Sequence, residues 1–460
     1  MPVEVTVDSM VSLVSAHPWV AAARATTDDS IAVWPEPAAT LAGPEPGPLL
    51  REHLDHWAEV YDWVYQEAVG RHSDDLDLSG WRASDTGQPL PIEHMREWLN
   101  CTVSLVLAQR PRRVLEIGCG TGLLAHRLHP NLRGYVGTDV APAAVQRLGE
   151  ADLPGTAFVR AAAHETATDR VREAMDHAFG RGLAPECVLL NSVTQCFPGL
   201  GYLAEVLRQA LAVVADGGTV IVGDIRHSDL LTAHFTWLEQ SRNPGIGGDD
   251  LQTRIRAAIT ADEELSFAPR AVAGLLTAQG RPVRMSLHAR TMEQDTELTR
   301  YRYDIVLHVG AGTPEAPTPV RTIPWSEQLG VDLATPLRVA SSDDPIVVSG
   351  IPNALLSDAP TAVTPHALRH AVRELDAAVL LDPDDPRLLA VAAPAAGGLL
   401  ALEDLVGSGP ENGPEAHEPL AGFVRRRLPE VLRDHLRRQM PGARPPRIVV
   451  ADDCDGRGAR

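Results

Sequence analysis

Two carboxylates and three glycines are packed into one short stretch, VLEIGCGTG followed by YVGTDVA, and their order matters more than their number. A strand carries Glu116; Gly118, Gly120 and Gly122 open the next segment; Asp139 stands at the end of the strand after that, 21 residues beyond Gly118, with Val140 next to it. Glycines are wanted where the backbone must turn sharply and approach a ligand without a Cβ in the way. A carboxylate at the end of the second strand is placed to accept hydrogen bonds from both hydroxyls of a ribose. A dinucleotide fingerprint would need a further glycine at position 123, where Leu123 stands. Glu116, just before the turn, suits a cationic methionine moiety and opposes a pyrophosphate. The spacing therefore predicts a nucleoside site for S-adenosylmethionine, formed by Glu116, Gly118, Gly120, Gly122, Asp139 and Val140, with Asn191 and Ser192 beside it.

A second polar set falls where later strands end, the usual place for a reacting centre in an open α/β sheet. NSVTQCFP supplies Asn191, Ser192 and Gln195, and GDIRH supplies Asp224, Arg226 and His227. Methyl transfer to nitrogen needs a neutral amine, and a carboxylate or imidazole nearby can take its proton. His227, Asp224 and Asn191 are the candidates for that task. Gln195, Arg226, Tyr61 and Tyr65 are the candidates for the substrate wall. For each, a capping or turn role is the competing reading.

The elements that must position these residues follow from periodicity. Apolar strands are expected at 113–117, 134–138, 156–161, 187–191, 219–224, 283–289 and 303–309, alternating with helical segments in the βαβ manner of a parallel sheet. Leu54, Trp57, Tyr61, Val64, Tyr65 and Ala68 recur at helical spacing and predict a helix with an aromatic seam over 50–70. Another helix is expected over 92–109, after Pro91. The 228–280 interval is helical and longer than a simple crossover. Before it all, PEPAATLAGPEPGP reads as a linker; after residue 312 a Thr- and Pro-rich link leads to weaker strand and helix patterns, a connector at 407–419, a basic helix and a last strand RIVVA.

Composition narrows the function classes. The chain has 460 residues, a formal net charge of −20, and no lysine, so all 41 basic side chains are arginines. That charge argues against a nucleic-acid partner, and the missing lysine excludes Schiff-base or P-loop chemistry. Five cysteines without a CxxC pair suggest neither zinc nor a disulfide framework. With no unbroken apolar run of about 18 residues, no membrane insertion is expected, and a cytoplasmic location fits best.

HLDHWAEVYDWVY, GWRASDTGQPLPIEHMREW, VLEIGCGTGLLAHRL, YVGTDVA, NSVTQCFPGLGYL, GDIRHSDLL, ELTRYRYDIVLH and SGIPNALL together resemble the methyltransferase domain that nonribosomal peptide synthetases carry inserted in adenylation domains, over residues 53–356. The resemblance implies a class I methyltransferase, Rossmann-like seven-stranded sheet with an N-terminal helical lid and a small C-terminal α/β appendage. HPWVAAARA and LPEVLRDHLRRQMPGARPPRIVV look like scraps of the surrounding adenylation subdomain, without its core, so the expectation is an inserted domain that stands alone. The divisions implied are a remnant and linker over 1–48, the lid over 49–100, the cofactor domain over 101–312 and the appendage over 313–460. The implied activity is N-methylation of an amino-acid-derived small molecule of secondary metabolism, free or bound to a carrier protein. O- or C-methylation of an aromatic or hydroxylated compound, or a non-catalytic partner of a synthetase, are the alternatives. Two departures fall on the substrate side: Cys196 stands where the family commonly has Tyr, and His227 where Ser is common.

Overall fold

The computed structural model describes residues 6–27, 30–67, 75–277, 280–310, 320–409 and 415–451. Ala68 of the expected seam, Cys454, the link at 311–319 and the middle of the connector, 410–414, lie outside them. Within them no helix is long and apolar enough to cross a membrane.

The strands expected from apolar runs form with little change: β1 (Arg113–Ile117), β2 (Gly134–Asp139), β3 (Thr156–Arg160), β4 (Cys187–Asn191), β5 (Thr219–Arg226), β6 (Val283–Ala289) and β7 (Arg302–Val309). Their order across the sheet is 3-2-1-4-5-7-6. The first five neighbours run parallel, whereas β7 pairs antiparallel with both β5 and β6. Every residue of β2, β4 and β5 is buried, because helices cover both faces of a parallel sheet and leave no strand position facing water. This order, with its reversed seventh strand, is the class I methyltransferase sheet. β1 and β4 leave the centre in opposite directions, so a crevice must open at their carboxyl ends.

The appendage does not stand apart from this sheet. β8 (Arg321–Pro324), β9 (Ile346–Pro352), β10 (Ala378–Leu381) and β11 (Leu388–Ala393) continue it beyond β6 in the order β6-β10-β11-β9-β8. Ile346, Val348, Leu389 and Val391 are fully buried and share one apolar core with Leu115, Val188 and Val222 of the central strands.

The two ends of the described chain meet. Helix α1 (Val7–Ser15), the strands Val20–Ala25 and Ile31–Pro35, the long helix Pro419–Gln439 and the strand Ile448–Val450 form a small three-stranded unit with its own core of Met10, Val14, Ile31, Val33, Leu428 and Leu432. Leu49 belongs to this core and is also the second residue of α2 (Pro48–Glu67), so the terminal unit anchors the aromatic helix. The proline-rich stretch expected to be a linker is packed: a Cβ on Gly47 would sit 2.2 Å from the Ala38 carbonyl oxygen.

Candidate functional site

At the carboxyl ends of β1 and β4 lies a cavity of about 270 Å³. The glycine turn forms its floor. Gly118 has φ +76°, and a Cβ there would stand 2.6 Å from Val193 Cγ2, so both conformation and space demand glycine. The amides of Gly118 and Cys119 donate to the Thr138 carbonyl, which ties the turn to β2. Asp139, at the end of that strand, accepts from the Gly120 amide at Oδ2 and the Ala141 amide at Oδ1, each at 2.8 Å. Burial raises its pKa, opposed by these backbone N–H groups. Glu116 is fully buried on the other side of the turn, its pKa raised by burial and by Asp139, and its Oε2 has no partner in the protein.

α2 builds one wall. The rings of Trp57 and Tyr61 lie 6.0 Å apart and those of Tyr61 and Tyr65 5.7 Å apart, the ladder that helical spacing predicts. The Tyr65 hydroxyl reaches over Gly120, 3.0 Å from where a Cβ would be. Cys196 Sγ approaches the Tyr61 hydroxyl at 3.7 Å, so the unusual cysteine faces the aromatic wall. Asp62 Oδ1 accepts from the Ala143 amide at 2.9 Å, docking α2 on the first turn of the helix Pro142–Glu150. Trp81 and Trp98, 4.5 Å apart, close the far end.

The opposite wall carries charge. Ser192, just past β4, and Asp224, near the end of the adjacent β5, are both left-handed, with φ +56° and +61°. Non-glycine residues rarely adopt this conformation, and where they do the surroundings must hold them. Here the Ser192 hydroxyl donates to Asp224 Oδ2 at 2.6 Å and Arg302 Nη1 donates to the same oxygen at 2.9 Å. Burial pushes the Asp224 pKa up, but Arg302, Arg290 and Ser192 outweigh it and hold the carboxyl below its usual value. Arg226 donates through Nη1 to Glu264 at 2.9 Å and to Asp262 at 3.1 Å.

The structure brings together Glu116, Gly118, Gly120, Asp139, Val140, Asn191, Ser192, Gln195, Tyr61 and Tyr65 around the cavity. Gly122 lies just behind it, at φ +84° and packed on Leu148. Asp224 and Arg226 stand behind the wall and hold Arg302 and Glu264, which do face the cavity. His227 does not join them. It lines a separate small cleft with Tyr301 and Tyr303, its Nδ1 accepts from the Asp229 amide, and burial lowers its pKa to about 4. It follows a strand end whose backbone is interrupted by the left-handed Asp224, and it is not among the residues lining the cavity. Glu264, Arg302, Trp57 and Glu297 line the cavity without having been singled out from sequence. Trp57 was legible in the seam, whereas Arg302 sits one residue before the strand expected at 303–309; Glu264 lies in a short irregular link with no periodic signal.

Sheet order, glycine turn and a cavity at the switch point define a class I methyltransferase fold. Residues 92–255 match the family model of a methyltransferase domain. The chain is homologous to segments of nonribosomal peptide synthetases. It is 36% identical over 299 residues to the probable non-canonical nonribosomal peptide synthetase CymA of Salinispora arenicola, covering 65% of this chain and 4% of that one. It is 32% identical over 324 residues to the chondramide synthase of Chondromyces crocatus, covering 68% of this chain and 8% of that one. The chain thus spans under a tenth of the length of either relative. Among solved structures, the magnesium protoporphyrin IX methyltransferase of Synechocystis PCC 6803 with bound SAH aligns at 12% identity and a TM-score of 0.34, covering 57% of this chain and all of that one. At that score the likeness adds nothing to the sheet order.

Proposed function

We propose that this chain is an S-adenosylmethionine-dependent methyltransferase of secondary metabolism that methylates a nitrogen of an amino-acid-derived small molecule, free or carrier-bound. The observation that carries the reading is the pair of buried carboxylates, Glu116 and Asp139, on either side of a glycine turn at the switch point. Both fit the cofactor: Asp139 keeps lone pairs for ribose hydroxyls beyond its two backbone bonds, and the unpartnered Glu116 Oε2 suits the methionine ammonium. When bound, the cofactor supplies a methyl carbon whose bond pair returns to sulfur as the acceptor lone pair takes the carbon and a proton leaves the acceptor.

The protein's own share is alignment and exclusion of water. Tyr61, Tyr65 and Trp57 cover the cavity along α2, and Ser192, Arg302 and Glu264 orient the acceptor from the opposite wall. Homology to the nonribosomal peptide synthetase CymA, a class of enzyme that joins amino acids, favours an amine of amino-acid origin over a hydroxyl or carbon acceptor. The test is calorimetric titration with S-adenosylmethionine of the intact protein and of Asp139→Asn, followed by transfer of labelled methyl to amine and hydroxyl acceptors. Binding lost in the variant and label on nitrogen support the reading. A failure of the intact protein to bind overturns it.

A further inference from the structure

We infer that Gln195 is a catalytic residue whose amide oxygen accepts a hydrogen bond from the N–H of a neutral acceptor amine and so aims the nitrogen lone pair at the methyl group. The acceptors are then primary and secondary amines, and tertiary amines are excluded. The inference rests on the N-methyltransferase reading above and names the part of its substrate class that the site admits.

Gln195 lies in the short turn Thr194–Cys196 past β4 and lines the cavity, with only 6% of the residue exposed. Its Nε2 donates to the Asp224 carbonyl. That contact decides which end of the amide is which, because a carbonyl accepts from the NH2 group and would repel Oε1. The main-chain carbonyl of Gln195 accepts from the Leu265 amide at 2.9 Å, so the residue is held by its backbone as well as by its side chain. Oε1 is left without a partner in the protein. A buried acceptor with nothing to bind costs free energy, and an N–H brought by a ligand removes that cost.

The place of this oxygen separates it from the donors of the cofactor. Asp139 on β2 fits the ribose hydroxyls and Glu116 on β1 fits the methionine ammonium, so the nucleoside belongs to the β1 and β2 side. Gln195 bridges the ends of β4 and β5, on the other side of β1. Val193, two residues earlier, packs against Gly118, so the turn that carries Gln195 borders the glycine turn. Glu264 and Arg302, on the same wall, are already ion-paired with Arg226 and Asp224.

An uncharged acceptor suits the chemistry. The amine gives its proton to water before it binds, and an amide oxygen favours the protonated form far less than a carboxylate would. The nitrogen lone pair then forms the bond to the methyl carbon while the carbon–sulfur pair stays on sulfur. Positive charge passes from sulfur to nitrogen, which keeps its hydrogens, and the surplus proton goes to water when the product leaves. The charge of the site does not change during the step, so no protein base is required. As charge grows on nitrogen its N–H becomes a stronger donor, and the bond to Oε1 is tighter in the transition state than in the ground state. Holding one N–H while the lone pair attacks requires that the neutral amine carry a hydrogen, which a tertiary amine lacks.

The experiment uses the full chain and matched pools of L-amino acid carboxamides, whose amines lose their proton more readily than those of the free acids. One pool carries primary amines, one their N-methyl and one their N,N-dimethyl homologues, and methyl transfer from S-adenosylmethionine is followed by mass spectrometry. The parent protein is expected to methylate the first two pools and to be slower on the dimethyl pool by about tenfold or more. Gln195→Met, which keeps the length of the side chain and removes its oxygen, should lower kcat for the first two pools by about tenfold. The same variant should cause no further fall with the dimethyl pool and leave the dissociation constant of S-adenosylhomocysteine unchanged. Trimethylammonium products formed by the parent as fast as the tertiary amines overturn the inference without recourse to any variant. A loss in Gln195→Met that is equal for all pools assigns the residue a structural role and overturns it too. So does an absence of transfer to every pool while S-adenosylhomocysteine binds. If S-adenosylhomocysteine itself does not bind, the methyltransferase reading has failed first.

Discussion

Asp139 does structural and recognition work with the same two oxygens. One accepts the Gly120 N–H of the turn and the other the Ala141 N–H just past β2, and each oxygen has a second lone pair to offer a ligand. Asp139→Ala is therefore expected to lose cofactor binding and also about 1–3 kcal/mol of stability, because two buried amides lose their acceptor. Asp139→Asn should recover part of the stability and not the affinity; calorimetry and urea unfolding on the two variants separate the effects. At Gly118 the argument is steric. Gly118→Ala places a methyl 2.6 Å from Val193 at φ +76°, an expected cost of about 1–3 kcal/mol. Adding Val193→Ala should relieve the contact and leave the conformational part, readable in the midpoint of unfolding. His227 gives the sharpest contrast between sequence and structure. A general base contributes about 10²–10⁴ in rate, so His227→Asn should leave methyl transfer close to that of the parent, since the ring lies outside the cavity.

At the scale of elements, strand positions were legible because a parallel sheet buried on both faces leaves runs of apolar residues that nothing else explains: TVIVGD, CVLLN and RVLEI each became the expected strand. The aromatic seam of α2 was legible for the same reason, since spacing of three and four residues can serve only one face. What the helix packs on was not. Asp62, an unremarked residue between Tyr61 and Trp63, is the group that docks α2 on the helix Pro142–Glu150. Asp62→Ala is expected to cost about 1 kcal/mol and to speed proteolysis within α2, followed by limited digestion. The left-handed turns at Ser192 and Asp224 carried no signal either, because neither residue is glycine; the hydrogen bond between them, across 32 positions, is what holds both.

Over the whole molecule, the ends of the described chain close on each other and on α2. Removing residues 1–35 should expose Leu428, Leu432 and Leu436 of the long helix, along with Leu49, and the truncated chain is expected to aggregate or to lose cofactor affinity, as sedimentation and calorimetry would show. Acid should also act globally. His227 and His234 are buried neutral, with pKa values lowered to about 4 and about 3 by burial. Unfolded, each would titrate near 6.5. The unfolded chain therefore binds more protons below that value, and stability is full above pH 6.5 and falls as the pH drops toward 4. Between pH 7 and pH 5 each histidine should account for a loss of about 1–2 kcal/mol, measured by urea unfolding, and the His227→Asn variant should show a smaller fall.

By itself the sequence determined which segments are strands and helices, where the backbone must turn on glycine, and which carboxylates flank that turn, because these depend on neighbours within a few residues and on periodicity. Only the tertiary structure decided which side chains share the cavity. Arg302 meets Asp224 from 78 positions away, Glu264 reaches the wall through Arg226, and His227 falls in a separate cleft. These outcomes follow from strand order, from the reversal of β7 and from which face a strand end presents, none of which leaves a local pattern in the chain.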